Sequence, residues 1–311
     1  MAVTRDFFLA LAHSRRLRDM AVGFAPVRRM ARRFVAGETL AEAIAAVENL
    51  DAQGLLATLD HLGENVTSET EARDATTEIL DLLQAIETSG LPSGVSVKLT
   101  QLGLDLHPAL AADNLGRILA RAAEAQRFVR IDMESFDYVQ PTLDLFEEFW
   151  AHYKNLGVVI QSYLYRSADD VARLVDLGAS VRLVKGAYDE PPEVAYPDKA
   201  DTDASYIRLM EQLFSDRAQS NGVFPAIGTH DTRLIDWAKD HARQQKIPQD
   251  RFEFQMLYGI RPGLQRQLAA EGYRVRAYVP YGDQWWSYFM RRLAERPANV
   301  AFFARNLLRI R

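Results

Sequence analysis

The 311-residue chain contains no cysteine. Disulfides, thiolate nucleophiles, Cys-ligated zinc and iron–sulfur clusters are therefore excluded, and the composition suits a reducing compartment. The chain also lacks a long hydrophobic run near its start, where the apolar stretch 7–12 is too short for a signal-peptide core or a membrane span. We expect a cytoplasmic protein, and the composition leaves open a peripheral contact with the inner face of the membrane.

An excess of positive charge is absent too. The net charge of -5 and the isoelectric point of about 5.8 argue against a nucleic-acid-binding protein, whose affinity would depend on a cationic surface. No G-x-G-x-x-G loop, H-E-x-x-H helix or G-x-S-x-G elbow occurs, and the six histidines do not form a metal-ligand spacing, so we expect no metal site. Cationic and aromatic groups are abundant, which suits a phosphate-bearing cofactor and an anionic substrate.

The hydrophobic pattern changes after Gly54. Residues 1–52 have a helical pattern, whereas residues 53–311 alternate short apolar runs with longer amphipathic segments. This alternation predicts an α/β fold, a (β/α)8 barrel of the TIM type preceded by N-terminal helices. A doubly wound open sheet is the alternative, disfavoured by the missing glycine loop. The predicted strands are 55–60, 95–99, 128–133, 157–163, 180–187, 223–230, 252–257 and 275–280.

Each predicted strand has a hydrogen-bonding side chain at or near its end. In a parallel barrel these ends meet on one face, where active sites are found, so such a ring of side chains predicts a small-molecule pocket over an apolar core. Any one of these residues could instead be a solvated loop residue, and His230 could cap the next helix together with Asp231. The eight side chains are Asp60, Lys98, Asp132, Gln161, Lys185, His230, Gln255 and Tyr278.

Arg182 differs from these residues because it lies inside a predicted strand. A buried guanidinium without a partner would be costly, so Arg182 needs a permanent partner or a ligand. Asp132, two strands earlier, is a candidate partner.

A second cationic feature lies near the C-terminus. If the segment after Gly282 is helical, Tyr288, Arg291, Arg292 and Glu295 fall on one stripe. Paired guanidinium groups can hold a carboxylate by parallel hydrogen bonds, with Glu295 orienting them. The alternative is an exposed helix with an ordinary Arg–Glu pair.

Four segments together resemble proline dehydrogenase, in particular the short monofunctional bacterial type. They are RIDMES (130–135), VRLVKGAY (181–188), FEFQMLYGI (252–260) and YVPYG with WWSYFMRRLAERPAN (278–282 and 285–299). The resemblance extends from about Leu55 to Asn299. It implies a distorted (β/α)8 barrel that holds FAD without a Rossmann domain, oxidises L-proline to Δ1-pyrroline-5-carboxylate and passes electrons to a quinone. Pyrroline-5-carboxylate dehydrogenase, the next enzyme, is an expected partner.

The resemblance also assigns residues. It implies that Arg291 and Arg292 hold the proline carboxylate, that Glu295 braces them and that Lys98, Tyr278 and Tyr288 enclose the ring. Asp132 and Arg182 match catalytic positions, with Arg182 next to the flavin N5 edge. Arg182 also matches a flavin contact, as do Met133, Gln161, Lys185, Gly186, Ala187, Thr229, His230 and Gln255.

One departure is visible. The family often has an aromatic residue after the tyrosine of VKGAY, whereas Asp189 follows Tyr188 here. Two other functions stay open at this point. A lyase could use Lys98 or Lys185 as a Schiff-base amine, and a barrel without catalytic activity could sense an amino acid.

Overall fold

The computed structural model describes residues 25–295, and side chains within 27–292. Eight parallel strands form a closed barrel in sequence order, each joined to the next by helices. The strands are β1 Leu56–His61, β2 Gly94–Val97, β3 Val129–Ile131, β4 Leu156–Gln161, β5 Ser180–Val184, β6 Phe224–Gly228, β7 Glu253–Leu257 and β8 Arg274–Tyr281. The predicted barrel is confirmed, and the open sheet is excluded because β1 pairs with β8 over six residues, from Leu56↔Arg276 to His61↔Tyr281.

Helices cover the outside of the barrel, and one helix lies at each end of the described chain. They are α1 Ala25–Ala31, α2 Leu40–Asp51, α3 Glu69–Ser89, α4 Pro108–Glu124, α5 Val139–Trp150, α6 Ser167–Asp176, α7 Lys199–Phe214, α8 Asp216–Asn221, α9 Thr232–Gln244, α10 Pro262–Ala270 and α11 Trp285–Glu295. Between residues 25 and 295 no helix is both long and apolar enough to cross a membrane.

Side-chain caps set several helix starts. Thr39 and Glu42 form the reciprocal capping box at α2, and the Ser68 side chain accepts from the backbone N–H of Glu71 at α3. Between β5 and β6, Ser215 is extended (φ -60°, ψ 157°) and divides the helical region into α7 and α8. The Ser215 hydroxyl then caps α8 through the N–H of Ala218, which makes the break a regular helix start.

The barrel buries two different strand faces. Side chains that face the helices are apolar, for example Val97, Ile131, Leu183 and Phe254, all fully buried. The enclosed face is largely polar: Arg130 donates to Ser180, and Arg276 pairs with Glu253 at 2.8 Å. The expectation of a polar ring over an apolar core was therefore wrong. Charged residues fill the barrel interior because partners on neighbouring strands satisfy them there.

A separate hydrophobic cluster joins the two ends of the described chain. Val27, Met30 and Phe34 of α1 and the following turn pack with Trp285 and Phe289 of α11. Backbone bonds fasten the same region, with Ala36 N–H donating to Pro280 O at 2.9 Å and Gly282 N–H to Gly37 O at 3.0 Å. The proposed boundary between residues 52 and 53 stays a prediction. The described part of the first segment nevertheless packs on the barrel and on α11.

Candidate active site

A cavity of about 590 Å³ opens at the carboxyl ends of the strands. Every predicted site residue lines it except Glu295, whose side chain lies outside the described residues. The predicted residues that it brings together are Lys98, Asp132, Met133, Gln161, Arg182, Lys185, Gly186, Ala187, Thr229, His230, Gln255, Tyr278, Tyr288, Arg291 and Arg292. The strand-end ring and the α11 stripe, far apart in sequence, therefore form one site.

Asp132, just after β3, is the centre of a buried network. Its Oδ1 accepts from Arg182 Nη1 and its Oδ2 from the Tyr278 hydroxyl, both at 2.7 Å. Arg182 also donates through Nε to Gln255 Oε1, and its guanidinium carbon lies 5.3 Å from the centre of the Tyr278 ring. The proposed partnership of Arg182 with Asp132 is confirmed. Burial, and then Asp132 and Asp60, raises the pKa of Tyr278, which keeps its hydroxyl a hydrogen-bond donor.

The orientation of Gln255 is set by Glu253, which the sequence alone did not identify as a site residue. Its Nε2 donates to Glu253 Oε1, so its Oε1 is directed at Arg182. Glu253 is itself held by Arg276. Arg182 is thus held by two partners, Asp132 and the Gln255–Glu253 pair.

Lys98 lies beside this network at the end of β2. Its Nζ is 3.0 and 3.1 Å from the two carboxylate oxygens of Asp60 on β1, and 3.9 Å from Asp132 Oδ2. Burial disfavours the ammonium, but Asp60, Asp132 and Glu64 outweigh it and raise the pKa of Lys98. These carboxylates favour the charged form of Lys98, which argues against its use as a Schiff-base amine.

Helix α11 contributes the paired arginines. Arg291 Nη1 is 2.7 Å from Glu64 Oε1 in the loop after β1, and the Arg292 guanidinium carbon lies 4.9 Å from the centre of the Tyr288 ring. Burial lowers the pKa of Arg291, but Glu64 more than compensates and raises it. The open-helix alternative for this stripe is wrong because Tyr288 and Arg292 are buried. Sequence reasoning missed Glu64, which has no local signal.

The far side of the cavity is formed by the ends of β4 to β7. Lys185 Nζ lies 2.5 Å from Asp203 and 3.0 Å from Asp231. His230 Nε2 accepts from the N–H of Leu257 at 2.9 Å, and Asp231 alone caps α9, so His230 is not the helix cap. Gly186 has φ +117°, and a Cβ there would lie 2.4 Å from the Tyr163 ring, so this turn requires glycine.

The charge of the cavity is opposite to that of the whole chain. Three acidic side chains line it, Asp60, Asp132 and Asp231, whereas the cationic ones are Lys98, Arg182, Lys185, Lys199, Arg261, Arg291 and Arg292. A cavity with excess positive charge in a protein of net charge -5 attracts anions. The arginines of α11 form one cationic group, and Lys185, Lys199 and Arg261 form a second.

The lining also fits a flavin. Gln161 Oε1 is buried and has no hydrogen-bond partner among the described residues, while its Nε2 donates to Glu134 O at 3.1 Å. A buried acceptor of this kind at a cavity wall suits a ligand N–H donor. The volume is within the range of cofactor pockets, and the second cationic group suits phosphates.

Comparisons with known proteins find a matching family and several similar proteins. The family model described as proline dehydrogenase matches residues 43–305. The chain is 45% identical over 306 residues to Proline dehydrogenase 1 of Bacillus subtilis (strain 168), covering 98% of this chain and 99% of that protein. It is also 45% identical over 287 residues to Proline dehydrogenase of Deinococcus radiodurans, covering 90% of each.

A solved structure has the same barrel. Proline utilization A (PutA) from Bdellovibrio bacteriovorus, inactivated by N-propargylglycine, superposes with a TM-score of 0.80 at 30% identity. The match covers 86% of this chain and 32% of the PutA chain, so this protein spans about a third of that larger one.

Proposed function

The chain belongs to the proline dehydrogenase family of enzymes, and from this membership we propose that its cavity binds FAD together with L-proline. The product would be Δ1-pyrroline-5-carboxylate, in the first step of proline degradation. A quinone would be the final electron acceptor, which leaves room for a peripheral membrane contact of an otherwise cytoplasmic protein. Pyrroline-5-carboxylate dehydrogenase would then consume the product.

The single observation that carries the proposal is that one cavity holds the α11 arginines and the Asp132–Arg182–Tyr278 network. Arg291 and Arg292, with Lys98, would bind the proline carboxylate, because guanidinium groups can hold a carboxylate by paired hydrogen bonds. Glu64 keeps Arg291 in place before the substrate arrives, and the aromatic faces of Tyr278 and Tyr288 would enclose the apolar ring. Such preorganisation limits the substrate to one orientation.

The remaining wall would hold the cofactor. Gln161 would accept from a flavin N–H, and Lys185 and Arg261 would contact phosphates, while Met133, Gly186, Ala187, Thr229, His230 and Gln255 would complete the lining. When bound, FAD would supply a hydride acceptor, its N5 atom, for the ring carbon that is next to the proline nitrogen on the side away from the carboxylate.

Arg182 would stabilise negative charge as it develops near that acceptor. A fixed cation inside a cavity is effective because it needs no reorganisation during the reaction. Both oxygens of Asp132 already accept hydrogen bonds from Arg182 and Tyr278. We therefore assign Asp132 to holding these two side chains. The substrate amine must be neutral when the hydride leaves, so the rate should rise with pH as bound prolinium loses its proton.

An anaerobic titration with L-proline tests the proposal. The purified protein should be yellow, and L-proline should bleach the flavin absorption band, whereas D-proline at the same concentration serves as the control. A colourless protein that borohydride traps with a carbonyl substrate would indicate a lyase. A yellow protein that binds L-proline without bleaching would indicate a sensor.

A further inference from the structure

The pairing of Lys98 with Asp60 has a consequence for substrate binding. Asp60 lies near the end of β1, Ser96 pairs with it in register on β2, and Lys98 is two residues further along, just after β2. Asp60 is completely buried, so its charge must be neutralised inside the protein. Lys98 Nζ neutralises it with both carboxylate oxygens at hydrogen-bond distance.

We propose that Asp60 is a positioning residue, which holds Lys98 charged and directed toward the substrate carboxylate. An ammonium has three donors. Two are directed at Asp60, which leaves one for a ligand in the cavity. The inference rests on the proposed function, since it assumes a carboxylate substrate.

A second carboxylate shows why Asp60 is needed. Asp132 Oδ2 lies 3.9 Å from Lys98 Nζ, beyond hydrogen-bond distance, and already accepts from Tyr278. Each carboxylate therefore has its own cation, Asp60 with Lys98 and Asp132 with Arg182. Without Asp60, the ammonium would have Asp132 as its nearest carboxylate and would compete with Tyr278 for it.

The surroundings of Lys98 make its charge depend on Asp60. Lys98 is buried, and burial without a carboxylate at contact distance favours the neutral amine. The charged and titratable groups around it include Asp60, Glu64, Asp132, Glu134 and Tyr188, and those that line a cavity with it include Arg182, Tyr278, Tyr288, Arg291 and Arg292. Of these, Asp60 alone among the described residues is hydrogen-bonded to Lys98.

Calorimetric binding of cyclopentanecarboxylate to the holoenzyme tests the proposal. This ring carboxylate lacks the amine, so it cannot be oxidised at a carbon–nitrogen bond and its binding reports on the carboxylate site alone. In the parent protein Kd should stay nearly constant between pH 6.5 and pH 9. In Asp60→Asn, Kd should rise by about tenfold or more between pH 6.5 and pH 9. This is the loss of affinity expected for one charged hydrogen bond.

The direction of the expected change in Kd follows from the protonation of Lys98. Removing Asp60 lowers the pKa of Lys98, so the ammonium loses its proton, and with it the carboxylate contact, as the pH rises. Thr58→Val is the matched control, because Thr58 is buried on β1 two residues before Asp60. It should bind the ligand with the parent Kd at both pH values. A purely structural role of Asp60 would give a loss that does not depend on pH.

Asp60→Glu separates position from charge. The longer side chain keeps the carboxylate but displaces it by one methylene, so affinity should fall at both pH values without a pH-dependent step. Parent affinity at pH 9 in Asp60→Asn would overturn the proposal, provided that L-proline still bleaches the parent flavin. If L-proline fails to bleach the parent flavin, the proposed function itself is wrong.

A double variant covers the case in which Asp60→Asn does not fold. Replacing both charges in Asp60→Asn/Lys98→Met removes the unpaired buried group. If Asp60 acts through Lys98, this variant should bind the ligand with the same Kd as Lys98→Met. A further weakening of more than about threefold, beyond the usual error of additivity, would show that Asp60 acts elsewhere and would overturn the proposal.

Discussion

Single residues in the cavity are held in place before any ligand binds. Arg291 has Glu64, Lys98 has Asp60 and Arg182 has Asp132, and each of these pairs joins segments that are distant in sequence. The Arg292 guanidinium in addition lies over the face of the Tyr288 ring, with its carbon 4.9 Å from the ring centre. A planar guanidinium can stack on this ring and still offer its edge to a carboxylate, which an ammonium cannot do.

We therefore expect Arg292→Lys to weaken proline binding while keeping the charge. The loss should be roughly 1.5–3 kcal/mol, the scale of a charged hydrogen bond, and should appear as a higher KM for proline. Arg266→Lys, at an exposed position on α10, is the control and should leave KM unchanged. Full activity with the parent KM in Arg292→Lys would contradict the proposed binding of the proline carboxylate by Arg291 and Arg292.

Among the elements, α11 packs against α1 as well as against the barrel. The cluster of α1 with Trp285 and Phe289 is separate from the main core, and Trp285 Nε1 donates to Glu38 Oε1 at 3.0 Å. Glu38 also pairs with Arg28 on α1 at 2.7 Å. Because α11 carries Arg291 and Arg292, we expect packing at the N-terminal side of the molecule to affect the proposed substrate site. Gly259, after β7, supports the same region: a Cβ there would lie 1.6 Å from Arg33 O.

Gly259→Ala should displace α1 and, through it, α11. Gly259 has φ +71°, so alanine adds backbone strain of about 1–3 kcal/mol before the clash with Arg33 O is counted. We expect a lower free energy of unfolding in urea together with a higher KM for proline.

Gly263→Ala is the matched control for this substitution. No atom lies within 4 Å of its added Cβ, and the residue is in the first turn of α10. Its stability should stay within about 1 kcal/mol of the parent, with unchanged KM. If Gly259→Ala lost stability without any change in KM, the link between α1 and the substrate site would be refuted.

The molecule as a whole combines a charged barrel interior with a cationic mouth. Several carboxylates in the described part of the chain have lowered pKa values, namely Glu42, Glu71, Asp203, Asp231, Glu253 and Glu271. Glu253 is the buried member. Burial alone would raise its pKa, but Arg276, Gln255 and Arg130 outweigh that effect and lower it. Glu134 has the opposite shift, because burial raises its pKa.

These shifts predict acid sensitivity. A carboxyl with a lowered pKa in the folded state stabilises the fold above its ordinary pKa of 3.8 or 4.5, and this contribution is lost as pH falls through the folded value. The free energy of unfolding should therefore fall steadily below about pH 5. Glu253→Gln should make this fall less steep, whereas exposed Glu48→Gln should leave the slope unchanged. Urea titrations at pH 7, 5, 4 and 3 measure both, and equal slopes in all three proteins would contradict the role of Glu253.

Local patterns in the sequence determined much of this architecture. Alternating apolar runs and amphipathic segments predicted the eight strands, since parallel strands need buried faces and helical crossovers. The side chains at the strand ends and the i, i+3, i+4 spacing of Tyr288, Arg291 and Arg292 predicted part of the cavity lining, and the family resemblance added others. These features could be predicted because each depends on neighbours within a few residues.

Tertiary structure alone decided which charges meet. Lys98 with Asp60, Arg291 with Glu64, and Gln255 between Glu253 and Arg182 depend on barrel closure and on the direction of each side chain. The polar side chains inside the barrel and the packing of α1 on α11 were likewise decided only by the tertiary structure. No short pattern encodes such contacts, because their partners lie on different strands and loops and come together only when the sheet closes.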